Sequence, residues 1–296
     1  MKRRNFIKSI ALASVVGSNF LGLNQKLLAQ SKEYEISDAS VKIFYKLINR
    51  AKKENWKKMN INDLNIQIAH EFLNSQYIGG TLEGKGAEIC RADFTGLDCV
   101  TFVENSLALS RSIKKEKYSV ADFFEELIFI RYRNGNITDY ASRLHYTSDW
   151  ISDNLKKGVF KDITKDIGGT IHKFNLNFMS SNPKFYKALE QDTTLIPKIA
   201  EIEKAINEQT FYFIEKKSIK KIEYLINNGD IICFTTNKEG LDFAHLGLAY
   251  VEKNKAPRLF HASSKQKKVV IDSSISEYIN TVSSDTGIVV VRANSI

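Results

Sequence analysis

An acid–thiol pair in front of an apolar run is the strongest chemical signal in the sequence. Asp98 and Cys99 follow a Thr-Gly turn signal, and the apolar side chains behind them recur at helical spacing, for example at Val103 and Leu107. Either Thr95 or Asp98 can cap the predicted helix, and both alternatives place Cys99 in its first turn. Free N–H groups and the positive end of the helix dipole favour a thiolate there. We therefore expect Cys99 to be a nucleophile with a lowered pKa.

Cys99 has two other interpretations. It can be a buried structural thiol, or it can form a disulfide with Cys90. Cys233 lies in an apolar run and is predicted to belong to the core. Because the chain has three cysteines, at least one of them has no partner within it, and a free thiol is expected in each case.

Two histidines far downstream are the candidates for the base that a thiol nucleophile needs. His245 lies on a predicted strand with Gly247 and Ala249 on the same face, and these small residues leave space beside its ring. His261 lies on the next predicted strand, and the polar link between the two strands predicts a hairpin. Cys99, His245 and His261 are therefore the predicted catalytic residues, with His261 as the group that orients the base.

A zinc site is the alternative chemistry for these three side chains. Zinc ligands usually include a short spacing such as Cys-x-x-Cys or His-Glu-x-x-His, and neither pattern occurs in the sequence. We therefore predict neither a metal ion nor another cofactor.

A second cluster of polar and aromatic residues lies between the thiol and the histidines. Arg143, His145, Tyr146 and Trp150 combine flat apolar rings with a guanidinium group, which suits a pocket for sugar rings and a carboxylate. With Asp98 they are the predicted substrate-binding residues. The alternative is a helix surface that a tryptophan anchors in the core.

The first 29 residues have the pattern of an export signal. They contain five basic residues and no acid, and a basic start is followed by an uncharged, largely apolar run. The paired arginines predict a twin-arginine signal, and an ordinary secretory signal is the alternative. Cleavage after Ala29 leaves 30–36 as a linker within a single catalytic domain, 30–296. We expect that domain in the periplasm or cell envelope, without a stable membrane anchor.

The charge pattern limits the classes of partner. The formal net charge is +9 for the 296 residues and +4 without the first 29, with lysine and glutamate interspersed in the remainder. No basic stripe with interleaved aromatic residues is present, so nucleic-acid binding is not expected. A mildly basic surface suits anionic small or polymeric substrates.

Helical periodicity dominates the first half of the chain, and short strands dominate the end. The predicted strands are 231–235, 243–251, 258–263, 268–271 and 287–292. Short polar links between strands are typical of an antiparallel sheet or a small barrel. The sequence therefore predicts an α+β fold in which a helical part, with the nucleophile at a helix start, packs on a C-terminal sheet.

Four short segments together resemble the NlpC/p60 cysteine peptidases. They are LDCVTFVE at 97–104, GDIICF at 229–234, AHLGLAY at 244–250 and LFHASS at 259–264. The family pattern has an Asp-Cys pair at a helix start, then Gly-Asp opening a strand, then two histidine-bearing strands. The resemblance implies a papain-like core and hydrolysis of peptidoglycan amides, with Cys99 as nucleophile, His245 as base and His261 as its orienter.

One departure from the family pattern bears on the bond that is cleaved. Family members that cut within the stem peptide usually have Asp-Cys-Ser-Gly, whereas Val100 and Thr101 follow Cys99 here. This difference argues against recognition of the free L-alanine amine that those members hold. The wide gap between Cys99 and His245, and the SRLHYTSDW stretch inside it at 142–150, resemble the N-acetylmuramoyl-L-alanine amidase-like branch. The resemblance thus implies cleavage between N-acetylmuramic acid and L-alanine in peptidoglycan or muropeptide fragments.

Three alternatives remain for the function. A γ-D-glutamyl-diamino acid endopeptidase would keep the same catalytic residues and cut within the stem peptide. A non-catalytic wall-binding module would have a groove but no turnover. A transglutaminase-like enzyme would use Asp272 in place of His261 to orient His245.

Overall fold

The computed structural model describes residues 34–296, and its elements confirm the predicted α+β class. The predicted signal peptide lies outside the described residues. Of the predicted linker only the end is described, and there Tyr34–Ile36 form a short strand instead. No helix within 34–296 is both long and apolar enough to cross a membrane.

The helices occupy mainly the first two thirds of the described chain. The ten α-helices of residues 34–296 are α1 Asp38–Lys53, α2 Ile61–Glu71, α3 Cys99–Lys114, α4 Val120–Arg131, α5 Thr147–Lys156, α6 Phe178–Ser181, α7 Lys187–Gln191, α8 Leu195–Asn207, α9 Ile219–Ile222 and α10 Ile275–Asn280. All but α10 precede the five long C-terminal strands of the sheet.

Twelve strands lie within the same residues, and the longest are close to the C-terminus. They are β1 Tyr34–Ile36, β2 Gln76–Tyr77, β3 Cys90–Ala92, β4 Gly96–Leu97, β5 Phe160–Asp162, β6 Thr170–His172, β7 Phe211–Glu215, β8 Ile231–Thr236, β9 Phe243–Tyr250, β10 Arg258–Ser263, β11 Lys268–Ser274 and β12 Asp285–Ala293. The last five correspond to the five predicted C-terminal strands, with ends that differ by up to three residues.

Ten of these strands form one sheet. Its order is β4-β2-β11-β10-β9-β8-β12-β7-β6, and β5 pairs with β12. Among the described residues the two outer strands, β4 and β6, do not pair with each other, so the sheet is open and is not a closed barrel. The long strands pair antiparallel, as predicted, whereas the short β2–β4 pair is parallel.

Both faces of the central strands are buried, which explains their nearly continuous apolar sequences. On one face Leu248 and Phe260 pack in the same core as Phe102 of α3. The opposite face has a smaller core that includes Phe234 and Ile275 of α10. The sheet is therefore a layer between α3 and α10.

A buried ion pair joins α3 to α4. Arg131 Nε donates to Glu104 Oε2 at 2.7 Å, and the two side chains are only 2 % and 3 % exposed. Arg131 Nη1 also donates to the Arg91 carbonyl at 2.5 Å. Removal of one partner leaves the other charge buried without its counter-charge, which is far more costly than loss of an exposed pair.

We expect Glu104→Ala to lower the free energy of unfolding by about 3–5 kcal/mol, because the Arg131 guanidinium then stays buried and unpaired. Chemical denaturation of the wild type and the variant measures this difference. The matched control is Glu125→Ala, which removes a carboxylate from the exposed pair with Lys117 and should leave stability nearly unchanged. Equal effects of the two substitutions would contradict the role of the buried pair.

Candidate active site

Asp98 places Cys99 at the first position of α3. The Asp98 side chain accepts from the Thr101 N–H at 2.8 Å, and Thr101 Oγ1 accepts from the Asp98 N–H at 2.9 Å. This reciprocal capping box identifies Asp98 as the cap. Thr95, the other predicted cap, instead donates to Asp93. The carboxylate of Asp98 is thus engaged at the helix start, and its predicted contact with substrate stays a prediction.

The sheet opens next to Cys99 because β9 and β10 stop pairing. Their ladder ends at Leu248 and Phe260, although β10 continues to pair with β11 up to Ser263. Along β9 alternate residues direct their N–H groups to opposite neighbours, and Ala249 bonds towards β8. Leu246 therefore directs its N–H towards the side where β10 has separated.

Three backbone N–H groups surround the Cys99 sulfur. Those of Leu246, Val100 and Cys99 itself all favour its thiolate form. The helix start thus supplies two of the donors to the sulfur, and the unpaired edge of β9 supplies the third. Such a group of fixed donors can also hold the oxygen of a tetrahedral intermediate.

Burial nevertheless raises the pKa of the Cys99 thiol to about 12, and the Asp98 carboxylate adds to the effect. The lowered pKa predicted from the helix position is therefore wrong, because the loss of hydration outweighs the backbone donors. Cys99 is partly exposed, Cys90 and Cys233 are fully buried, and all three are free thiols without the alternative Cys90–Cys99 disulfide. A base must take the proton of Cys99 when it attacks.

The two predicted histidines form a direct pair. His245 Nε2 lies 2.6 Å from His261 Nδ1, and their rings are nearly perpendicular at 87°. Gly247 makes room for this contact, since a Cβ atom there would be 3.0 Å from that of His261. His261 is 1 % exposed, and its Nε2 lies 3.5 Å from Asp272 Oδ2. His261 and Asp272, which the sequence predicted as alternative groups to orient His245, thus lie one behind the other next to it.

The position of Asp272 determines which nitrogen of His245 can act as a base. His261 Nε2 makes no full hydrogen bond within residues 34–296, but the nearby Asp272 carboxylate favours the tautomer that carries the proton on Nε2. In that tautomer His261 Nδ1 accepts from His245 Nε2–H. The lone pair of His245 Nδ1 is then free. Burial lowers the pKa of His245 to about 3, to which His261 also contributes, and burial lowers that of His261 to about 4. Both rings are therefore neutral at pH 7.

Two tyrosines complete the surroundings, and neither was predicted from the sequence. Tyr77 on β2 pairs with Leu97, two residues before Cys99. The Tyr278 ring on α10 contacts both imidazoles, with centroids 5.0 Å from His261 and 5.8 Å from His245. The Ser-x-x-Glu capping box at the start of α10 predicts a helix, but no sequence pattern places that helix over the sheet.

Arg143 and His145, predicted to bind substrate, make internal contacts. Arg143 is 6 % exposed and donates to Glu83 at 2.6 Å and to Glu88 at 2.9 Å. His145 Nε2 lies 2.7 Å from the Tyr140 carbonyl oxygen. The guanidinium predicted to bind a substrate carboxylate is therefore already bound to two carboxylates of the protein.

Tyr146 and Trp150, the aromatic members of the cluster, are buried. The Tyr146 hydroxyl donates to Glu203 at 2.7 Å, and the Trp150 ring packs against Phe160. The alternative of a helix with a tryptophan anchor thus describes these contacts better than a sugar pocket does. None of the four residues is hydrogen-bonded to the thiol or to the histidine pair. Within 34–296, no three His, Cys, Asp or Glu side chains are placed to hold a metal ion.

Comparison with known proteins gives one family match and several similar structures. A model of the AmiA-like family, described as N-acetylmuramoyl-L-alanine amidase-like, matches residues 67–288. An N-acetylmuramoyl-L-alanine amidase from Bacteroides uniformis is 33 % identical, with a TM-score of 0.75 over 79 % of this chain and 99 % of that one. No curated protein matches the chain.

Two further solved structures are similar. A candidate xylanase from Bacteroides fragilis is 36 % identical, with a TM-score of 0.72 over 76 % of this chain and 99 % of that one. A Legionella pneumophila protein of family DUF1460 is 25 % identical, with a TM-score of 0.64 over 86 % and 94 %. The assignment to the NlpC/p60 superfamily is therefore wrong, because the matching family is the AmiA-like one. The papain-like core implied by that assignment is left without support.

We expect alkylation of Cys99 by iodoacetamide to accelerate only above the pH at which a free cysteine titrates, about 8.5. The reason is the raised pKa of the buried thiol. Asp98→Asn should make the reaction several-fold faster at a given pH, because an amide can still accept from the Thr101 N–H but carries no negative charge. Mass spectrometry of labelled peptides gives the rate for each cysteine.

Asp122→Asn is the matched control, since Asp122 belongs to the capping box of α4 and should not affect Cys99. The buried Cys90 and Cys233 should stay unlabelled while the protein is folded. A wild-type profile with its midpoint below pH 8 would mean that the backbone donors outweigh burial.

Proposed function

This chain belongs to the AmiA-like family of N-acetylmuramoyl-L-alanine amidase-like proteins, and we propose that it is a cysteine-dependent peptidoglycan amidase. Family membership supports amide hydrolysis in peptidoglycan. The bond proposed is the one between the lactyl group of N-acetylmuramic acid and L-alanine. The observation that supports the proposed mechanism is the contact of the Cys99 sulfur with the N–H of Leu246 on β9, because Leu246 directly follows His245, which is paired with His261.

Attack begins from a neutral thiol and a neutral imidazole. His245 Nδ1 takes the proton from Cys99 as the sulfur forms a bond to the lactyl carbonyl carbon. The carbonyl oxygen becomes an oxyanion and accepts from the N–H groups of Cys99 and Leu246. The positive charge on His245 is stabilised through His261, whose far nitrogen faces the Asp272 carboxylate.

Collapse of the tetrahedral intermediate releases the peptide. The His245 imidazolium donates its proton to the amide nitrogen, the C–N bond breaks, and the L-alanyl peptide leaves as an amine. A thioester joins Cys99 to the muramic acid. His245 then takes a proton from water as its oxygen attacks the thioester carbon, the C–S bond breaks, and His245 returns the proton to the Cys99 sulfur. The products are the free thiol and a lactyl carboxylic acid, which ionises in solvent.

We also propose that the protein is exported, since its substrate class lies outside the cytoplasm and residues 1–29 have the pattern of a signal peptide. The protein recovered from the cell envelope should then begin at Gln30. Intact-mass measurement of that protein tests this, and a mature chain that keeps Met1 would contradict it.

We expect the wild type to convert a disaccharide-peptide into free disaccharide and an intact L-alanyl peptide. Cys99→Ala should reduce turnover by about 10³-fold or more, because no other group forms the covalent bond to the acyl carbon. Mass spectrometry of defined muropeptides identifies the products. The matched control is Cys90→Ala, which removes a buried thiol that has no role in the proposed mechanism. This variant should retain turnover, and thermal melting checks that it is folded.

Other products would identify the alternatives. Cleavage after γ-D-glutamate, lost in Cys99→Ala, would make the protein an endopeptidase with the same nucleophile. No cleavage of soluble fragments or of whole wall by the folded wild type would indicate a binding module. Full activity of Cys99→Ala would exclude the cysteine mechanism altogether.

A further inference from the structure

We propose that Tyr278 is a positioning residue, whose aromatic ring closes the His245–His261 pair from water on the face of the sheet opposite α3. The inference rests on the proposed function, because it concerns the base of that reaction. We assign Tyr278 no contact with substrate. It affects catalysis by shielding the two imidazoles.

The ring of Tyr278 has aromatic partners on three strands. Its centroid lies 5.1 Å from Phe234 on β8, 5.8 Å from His245 on β9 and 5.0 Å from His261 on β10. The plane of the Tyr278 ring makes an angle of 74° with the His261 ring and of 30° with the His245 ring. One side chain therefore spans both imidazoles at the point where they share a hydrogen bond.

The helix that carries Tyr278 is anchored firmly enough to hold the ring there. Ser274 caps α10 in a reciprocal capping box with Glu277. Ile275 and Ile279 are fully buried in the smaller core, on the same face of the sheet as Phe234. The helix is short, and these three contacts determine which way it faces.

The ring, and not the hydroxyl, is the part with partners. Among residues 34–296 the Tyr278 hydroxyl makes no hydrogen bond, whereas the ring makes the three aromatic contacts above. A phenylalanine at this position would preserve those contacts. The inference thus predicts opposite outcomes for removal of the hydroxyl and removal of the ring.

Exclusion of water accounts for the neutral state of the pair. Burial is the largest cause that lowers the pKa of both His245 and His261. The titratable and charged groups that face this region from the packed elements are Cys99 on α3, Tyr77 on β2, Asp272 on β11 and Asp285 on β12, with Lys216 and Lys238 near Asp285. Replacement of Tyr278 leaves all of these groups in place and changes the access of water.

We expect Tyr278→Leu to raise the pKa of the pair towards the ordinary histidine value of about 6.5, and Tyr278→Phe to leave it unchanged. Nitrogen-15 NMR of the imidazoles against pH measures this directly in the full chain and needs no substrate. The wild-type rings should titrate near pH 3–4, provided that the protein stays folded. Tyr278→Met is the second truncation, in case the leucine variant does not fold.

The pH dependence of activity should shift together with the pKa of the pair. A base must be neutral, so a raised pKa moves the acid limb of the kcat/KM profile upwards. If the pKa returns to about 6.5, kcat/KM at pH 5.5 falls about tenfold below its plateau, whereas Tyr278→Phe stays within about twofold of the wild type. Loss of packing alone would lower activity at all pH values without moving the limb.

Tyr250→Leu is the matched control, since Tyr250 packs on Phe260 and His70 at the other end of β9. It should leave the titration of His245 and His261 unchanged. The inference is overturned if Tyr278→Leu or Tyr278→Met titrates like the wild type, or if Tyr278→Phe shifts as far as the truncations. Failure of the enzyme to cut any muropeptide would refute the proposed function but would leave the NMR result as a valid test of Tyr278.

Discussion

The end of the hydrogen-bonded ladder between β9 and β10 is the constraint on which the site depends. Beyond Leu248 and Phe260 the two strands no longer bond to each other. The N–H of Leu246 is left for the Cys99 sulfur, while β10 remains fixed by β11. A buried backbone N–H without a partner is costly, and here the Cys99 sulfur supplies the partner that β10 does not.

The same opening matters because α3 and the histidine pair lie on opposite faces of the sheet. The body of α3 packs on the face that contains Leu248, whereas His245 and His261 share the other face with Phe234. In a continuous sheet the backbone would separate the thiol from the imidazoles. Where β9 and β10 part, the N–H of Leu246, the residue after His245, is a partner of the sulfur of Cys99, the first residue of α3.

Burial gives the site its chemical character. It keeps the thiol protonated and both imidazoles neutral, which differs from a resting thiolate–imidazolium pair. Charge then develops only when a substrate carbonyl is attacked, and preformed donors and the Asp272 carboxylate are in place to stabilise it. The buried Arg131–Glu104 pair further along α3 ties that helix to α4 and so supports the position of its first residue.

The sequence by itself determined the elements that carry the chemistry, because their signals are local. Hydrophobic period and capping residues identify the helix at Cys99, and short apolar runs identify the strands of His245 and His261. Only the tertiary structure decided the protonation states of Cys99 and the two histidines and the arrangement of His245, His261 and Asp272 in a row. It also decided the contact of the histidines with Tyr278 and the internal pairing of Arg143. These features depend on burial and on neighbours that are distant in sequence. Burial of Cys99 raises its pKa more than the helix position lowers it. The Arg143 guanidinium is paired with Glu83 and Glu88, and nothing in its local sequence predicts that pairing.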